Sequence, residues 1–243
     1  MTVLLMAIAG ALVGFALDAV VAQLAREPYE RAAAEDGDAD DTARTPHTPL
    51  DLASESGALH LPALLDGKSW YRRAAIVAAT AGLFAAVGAQ YQGNELHLAV
   101  LAMYVSVLIV CSSTDILAYR VPNVVTYPGI ITAFGVGMAI DGSGRLDVLF
   151  GGLVFAGLLL IPSLLTGGMG MGDVKLALFV GFALGFQLIL PAMLLMAIGG
   201  GLAAVFLLVT RVRGRRDPIP YAPFIAGGAL ITMLTQGVAF LDL

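Results

Sequence analysis

Charge is what this chain has least of. Only 13% of its 243 residues are charged, against roughly 25% in ordinary soluble domains, while 58% are hydrophobic. That balance excludes a typical water-soluble globule and predicts an all-α, polytopic bundle of transmembrane helices. Cysteine is nearly absent. The lone Cys111 lies in an apolar stretch, so neither a disulfide framework nor a cysteine-built zinc site is expected. No basic patch with interleaved aromatics occurs, so no nucleic-acid partner is expected. The net charge of −5 says little about partners, because the acids concentrate in one segment. Positive charge is also missing ahead of the first apolar run. Met1–Ala25 holds no Lys or Arg, and Arg26 and Arg31 follow it. A secretory signal puts its positive charge first, so the run reads as a retained span with its N-terminus outside.

A span needs about 20 apolar residues. Eight segments fit or approach that rule: Thr2–Ala25, Ala74–Gln90, Leu96–Asp115, Val124–Ile140, Val148–Leu165, Val174–Phe186, Leu188–Val209 and Ala222–Leu241. The sixth is short, so the expected number of crossings runs from six to eight. Residues 1–25 form the first span, 26–73 a loop, and 74–243 a transmembrane core. If the spans alternate, twelve of the thirteen basic residues fall on one side and only Arg145 falls opposite. The positive-inside rule makes the crowded side cytoplasmic. The loop carries the acidic run Glu35–Asp41 together with Pro46, Pro49 and Pro62. It is expected to be mostly disordered, with a short membrane-lying piece at Leu59–Leu65.

Two acids stand where spans should end. Asp115 closes the third segment, and Asp173 closes the glycine-rich run that begins at Thr166. Acids in or beside hydrocarbon are costly, which makes them functional candidates. Two carboxylates within hydrogen-bonding reach cannot easily both ionise and so share one proton. The ionised member can take a proton from an attacking water, and the protonated one can donate to a peptide carbonyl and then to the leaving amine. Gly170 and Gly172 would allow unusual backbone angles and close approach next to Asp173. Each acid alone also reads as a helix-end residue at the water boundary, and glycine-rich turns also serve helix packing. Their conjunction on one side is what favours chemistry.

The run Asp115-Ile-Leu-Ala-Tyr-Arg-Val-Pro-Asn123 resembles the first aspartate motif of the type IV prepilin peptidases, bacterial membrane aspartyl proteases. Gly168-Met-Gly-Met-Gly-Asp-Val-Lys175 resembles the second, with its Gly-x-Gly-Asp signature. Pro218-Ile-Pro-Tyr-Ala-Pro-Phe224 resembles the proline-rich lead-in to that family's last span, and the stretch from Gly14 to Val20 is similar, more weakly, to its first. The resemblance covers most of the chain outside residues 26–73. It implies a cytoplasmic-membrane endopeptidase that removes basic leaders from prepilin or pseudopilin precursors. Asp115 and Asp173 would be its catalytic dyad, with no cofactor. Gly170, Gly172, Lys175, Arg120, Pro122 and Asn123 would support the loops or bind substrate. Bifunctional members carry paired zinc-binding cysteines in the first cytoplasmic loop and methylate the new N-terminus. Here 26–73 has no cysteine, so methylation is in doubt, and His47 and His60 are two ligands short of a zinc site.

Asp18 stands where the family often has asparagine and reads as a helix brace or a substrate contact. Arg120 and Lys175 read as tuners of the dyad or as inside anchors. Arg211–Arg216 reads as a topology determinant or a contact to anionic lipid. Gly10-x-x-x-Gly14, Gly181-x-x-x-Gly185 and Gly199–Gly201 read as packing signals. Three other functions compete: a metal-dependent phosphotransferase on a lipid carrier, a proton- or cation-coupled transporter, and a non-catalytic scaffold in a secretion machine.

Overall fold

The computed structural model describes residues 1–37, 70–92, 95–139, 144–166, 169–210 and 219–238. Within them lie eight helices and no strand: α1 (Thr2–Gly37), α2 (Trp70–Gln90), α3 (Glu95–Ala118), α4 (Asn123–Ala139), α5 (Gly144–Thr166), α6 (Met171–Leu184), α7 (Phe186–Val209) and α8 (Ala222–Gln236). Within the described residues, each apolar segment has its main part in one helix. The Leu59–Leu65 piece, His47, His60 and Arg211–Arg216 lie outside the described residues.

Five helices, α1, α2, α3, α5 and α7, are long and apolar enough to cross a bilayer. The other three are short. Helices α4 and α8 have 17 and 15 residues, and α6 has 14. At 1.5 Å per residue α6 is about 21 Å long, below the roughly 30 Å of hydrocarbon in a bilayer. Helix α1 shows the opposite departure. Its apolar run stops at Ala25, yet the helix continues to Gly37 into the stretch read as a loop. Polarity ends a span without ending a helix, and Ala32-Ala-Ala34 favours helical backbone.

Lipid is as apolar as leucine, so helices in it associate through close packing and polar contacts. Small residues supply the packing. A Cβ on Gly14 would come within 2.9 Å of the Val77 Cα, and one on Gly10 within 2.8 Å of the Thr80 carbonyl, which locks α1 against α2. Gly151 and Gly181 let α5 and α6 meet backbone to backbone, and Gly228 of α8 lies on the Ala192 carbonyl of α7. Gly185 differs from Gly181: it ends α6 with φ 77°, a left-handed conformation that glycine adopts readily. Gly199 and Gly200 meet only the Phe224 ring, at 3.6 and 3.7 Å, and Gly201 faces open space. That triplet is therefore not a close helix crossing.

Two helices form the centre. Helix α3 packs on α1, α2, α4 and α8, and α6 packs on α4, α5, α7 and α8. Tyr104 of α3 and Phe179 of α6 meet edge to face with ring centroids 5.4 Å apart. Gly129 of α4 fits between Val107 and that same Phe179. The centre thus carries Asp115 at the end of one helix and Asp173 at the start of the other.

Asp18 braces α1 to α2. Its carboxylate is 1% exposed and accepts from the Nε atoms of Arg72 at 2.7 Å and Arg73 at 3.1 Å. Arg73 also lies over the Phe15 ring, 4.9 Å from its centroid. Removing one partner of a buried pair leaves an uncompensated charge and costs about 3–5 kcal/mol. Half-exposed Arg73 shares the carboxylate, so the lower end of that range applies. We expect Asp18→Ala to lower the thermal unfolding midpoint in detergent well beyond Asp18→Asn. An unchanged midpoint in both variants would show that the brace carries no stability.

Candidate active site

Asp115 sits in the last turn of α3, 5% exposed. Helix α3 stops just past it. The Tyr119 N–H donates to the Asp115 carbonyl at 2.9 Å, and Tyr119 itself has φ 50°. Among the described residues it is the only non-glycine with positive φ. A bulky side chain in that region costs on the order of 1–3 kcal/mol and persists only where its surroundings enforce it. The turn swings Arg120 and Val121 to the rim. Pro122 then launches α4, its carbonyl accepting from the Thr126 N–H at 3.0 Å and the Thr126 hydroxyl at 2.8 Å.

The side chain of Asp115 reaches across to α8. Its Oδ2 accepts from the backbone N–H of Ala222 at 3.0 Å. Asp173 lies in the first turn of α6 and is 6% exposed. Its Oδ2 accepts from the Gly170 N–H at 3.2 Å, and its own N–H returns a bond to the Gly170 carbonyl at 3.0 Å. The Oδ1 of Asp173 is buried with no protein partner. Both carboxylates thus lean on backbone donors, Asp115 on Ala222 and Tyr221 and Asp173 on Gly170, and Asp173 keeps its other oxygen uncommitted.

Both acids line one cleft of about 420 Å³. Asp115, Gly170, Gly172, Asp173, Arg120, Asn123 and Lys175 all line it; Pro122 does not. Three helix starts meet there, through Asn123 of α4, Met171 of α6 and Tyr221 just before α8. Helix N-termini carry partial positive charge, so the cleft favours anionic groups without a bound cation. Among the described residues, no third His, Cys, Asp or Glu joins the pair in a metal-binding group.

The motif glycines divide the work. Gly172 is where backbone must come close, since a Cβ there would lie 2.8 Å from the Val121 Cβ. Gly170 has ordinary extended angles (φ −75°, ψ 150°) and 3.7 Å of clearance, so it needs neither an unusual conformation nor extra room. Lys175 ties α6 to α4. Its Nζ donates to the Asn123 Oδ1 at 2.9 Å and lies 4.8 Å from the centroid of the Tyr127 ring. Arg120 is exposed at the rim. Asp18 is absent from the cleft lining and acts as the helix brace described above.

Sequence reasoning missed Tyr119, Val121, Ile219, Tyr221 and Ala222. One signal pointed to the last two. Pro220 and Pro223 flank them, and proline is favoured near the first position of a helix.

Fold and site define a polytopic helical membrane protein with two buried carboxylates in one cleft. Residues 102–208, which include both acids, match the model of the type IV leader peptidase family. Through this stretch the chain is similar to that family. It is 31% identical over 159 residues to a prepilin leader peptidase/N-methyltransferase of Bacillus subtilis, which covers 64% of this chain and 62% of the relative. It is 28% identical over 176 residues to a protein of the same name from Aeromonas salmonicida, covering 63% and 60% respectively. The chain thus spans about three fifths of these curated relatives. No solved structure matches it.

The contact of Gly172 with Val121 gives a stability test. Gly172→Ala should destabilise the fold, and Val121→Ala should recover about 1 kcal/mol of that loss in a double-mutant cycle followed by thermal unfolding. Gly170→Ala should stay within about 0.5 kcal/mol of the parent. Simple additivity of the first two changes would mean that no such contact exists.

Proposed function

We propose that the protein is a membrane aspartyl endopeptidase that cleaves the N-terminal leader of prepilin-like precursors at the cytoplasmic face of the inner membrane. The carrying observation is the pair of carboxylates in one cleft, each anchored by backbone donors, with the Asp173 Oδ1 unengaged. The shared name of the relatives and the family match supply the substrate class.

The scissile peptide would lie across the cleft between Tyr119–Val121 and the start of α6. One carboxylate removes a proton from water as the water oxygen bonds to the carbonyl carbon. The other, protonated, gives its proton to the carbonyl oxygen. Collapse of the tetrahedral intermediate breaks the C–N bond: the amine leaves with the proton first taken from water, and the other carboxylate takes its proton back from the intermediate's hydroxyl, which restores the singly protonated pair. The three helix starts favour the negative charge that the pair must retain through this cycle. The pair titrates as a unit, so base and acid are roles of the dyad rather than of either residue.

This reading covers only leader removal. Residues 26–73 hold no cysteine, and methylation of the mature N-terminus is not assigned to the chain.

Co-expression with a prepilin, followed by gel analysis of the leader, tests the assignment. Asp115→Asn and Asp173→Asn should each reduce cleavage at least about a hundredfold, the usual weight of acid–base groups, with membrane insertion unchanged. Full cleavage by either variant would remove the dyad from the mechanism.

A further inference from the structure

We infer that the first turn of α8 is a positioning limb of this site, with the backbone N–H of Ala222 setting the orientation of Asp115. The inference comes from accounting for donors. The first N–H groups of any helix lack partners within it. In α8 the preceding residue, Tyr221, offers no side-chain cap. Pro223 has no N–H to give. The N–H groups of Phe224 and Ile225 both donate to the Tyr221 carbonyl, at 3.0 and 3.2 Å. The N–H groups of Tyr221 and Ala222 remain and both are directed to Asp115; that of Ala222, the first residue of the helix, donates to its Oδ2 at 3.0 Å, 107 residues earlier in the chain and buried. The arrangement closes in both directions: the carboxylate caps the helix, and the helix fixes the carboxylate.

A fixed donor needs a fixed helix. Gly228 seats α8 directly on the Ala192 carbonyl of α7. Further along, the Met233 carbonyl accepts from the Tyr91 hydroxyl, at the end of α2. With α8 held from two sides, the Ala222 N–H cannot drift from Asp115 without disturbing the bundle. Ala222 is fully buried, and its small side chain leaves the contact to its backbone. It is a positioning residue, because it acts on the reacting groups only through Asp115. The geometric claim stands alone, while its kinetic consequence rests on the peptidase reading above.

Proline lacks the donor, so Ala222→Pro removes the hydrogen bond, and it also strains Tyr221, whose helical angles (φ −91°, ψ −29°) a following proline disfavours. Ala222→Gly keeps the N–H and serves as the rescue variant. With a prepilin substrate, Ala222→Pro should lower kcat about tenfold or more, with KM within about twofold, and Ala222→Gly should restore most of the rate. Independently of activity, hydrogen exchange at the Ala222 amide should be slow in the parent and in Asp115→Asn, which keeps an acceptor. It should be about tenfold faster in Asp115→Ala.

Parental kcat in Ala222→Pro would overturn the inference, as would an equal loss in Ala222→Gly. Equal exchange in the parent and both Asp115 variants would also overturn it. If Ala222→Pro does not fold, the exchange comparison decides alone. If the parent cleaves no prepilin, the peptidase reading falls, and the exchange comparison still decides this one.

Discussion

Two carboxylates taken out of water need donors, and in this bundle the donors are backbone N–H groups at helix starts. Asp115 leans on Ala222 at the head of α8, and Asp173 on Gly170 at the head of α6. A buried acid without such a partner carries the full cost of desolvation. The location of Asp115 sharpens the point. It stands at the C-terminal end of α3, where the helix dipole disfavours negative charge. Only the heads of neighbouring helices can offset that. The convergence of α4, α6 and α8 on one cleft is therefore a condition for holding these acids there.

That convergence in turn depends on how closely the helices approach. Gly10, Gly14, Gly151, Gly181 and Gly228 remove side chains where backbones touch, and Asp18 with Arg72 and Arg73 closes the first pair. Nothing in lipid would press these helices together through hydrophobicity alone. Gly172 extends the same principle into the site, because the chain at Val121 lies against it with no room for a methyl group.

The sequence announced the two aspartates because an acid among apolar residues is conspicuous. It also announced the helices, because apolar runs of that length have few other fates. It did not announce the partner of Asp115. That donor belongs to the backbone, which every residue but proline shares, and so no residue type marks it. Tyr119 was hidden for a related reason: a left-handed turn is signalled by glycine, and here an aromatic residue adopts it. Composition could not separate Gly170 from Gly172 either, since only the approach of Val121 distinguishes them. Hydropathy found the span Thr2–Ala25 but not the helical continuation to Gly37, because it marks where the lipid-like stretch ends rather than where hydrogen bonding ends.

The short helices complete the logic of the site. The rule of about 20 residues applies to a helix whose surroundings are lipid. Ten of the fourteen residues of α6 are buried, so its surroundings are mostly protein, and it need not match the bilayer. Non-helical backbone near the membrane is tolerated where protein or a water-filled cavity satisfies it. The stretch Met169–Gly170 ahead of α6 meets that condition: the Ser163 hydroxyl donates to the Met169 carbonyl, and Gly170 exchanges bonds with Asp173. A helix that starts late, between neighbours that run longer, leaves space at its head. Here that space is the cleft, and a residue in the first turn of α6 faces it by construction. The brevity of α6 and the place of Asp173 at the cleft are thus one feature, and lengthening the helix at its N-terminal end would fill that cleft.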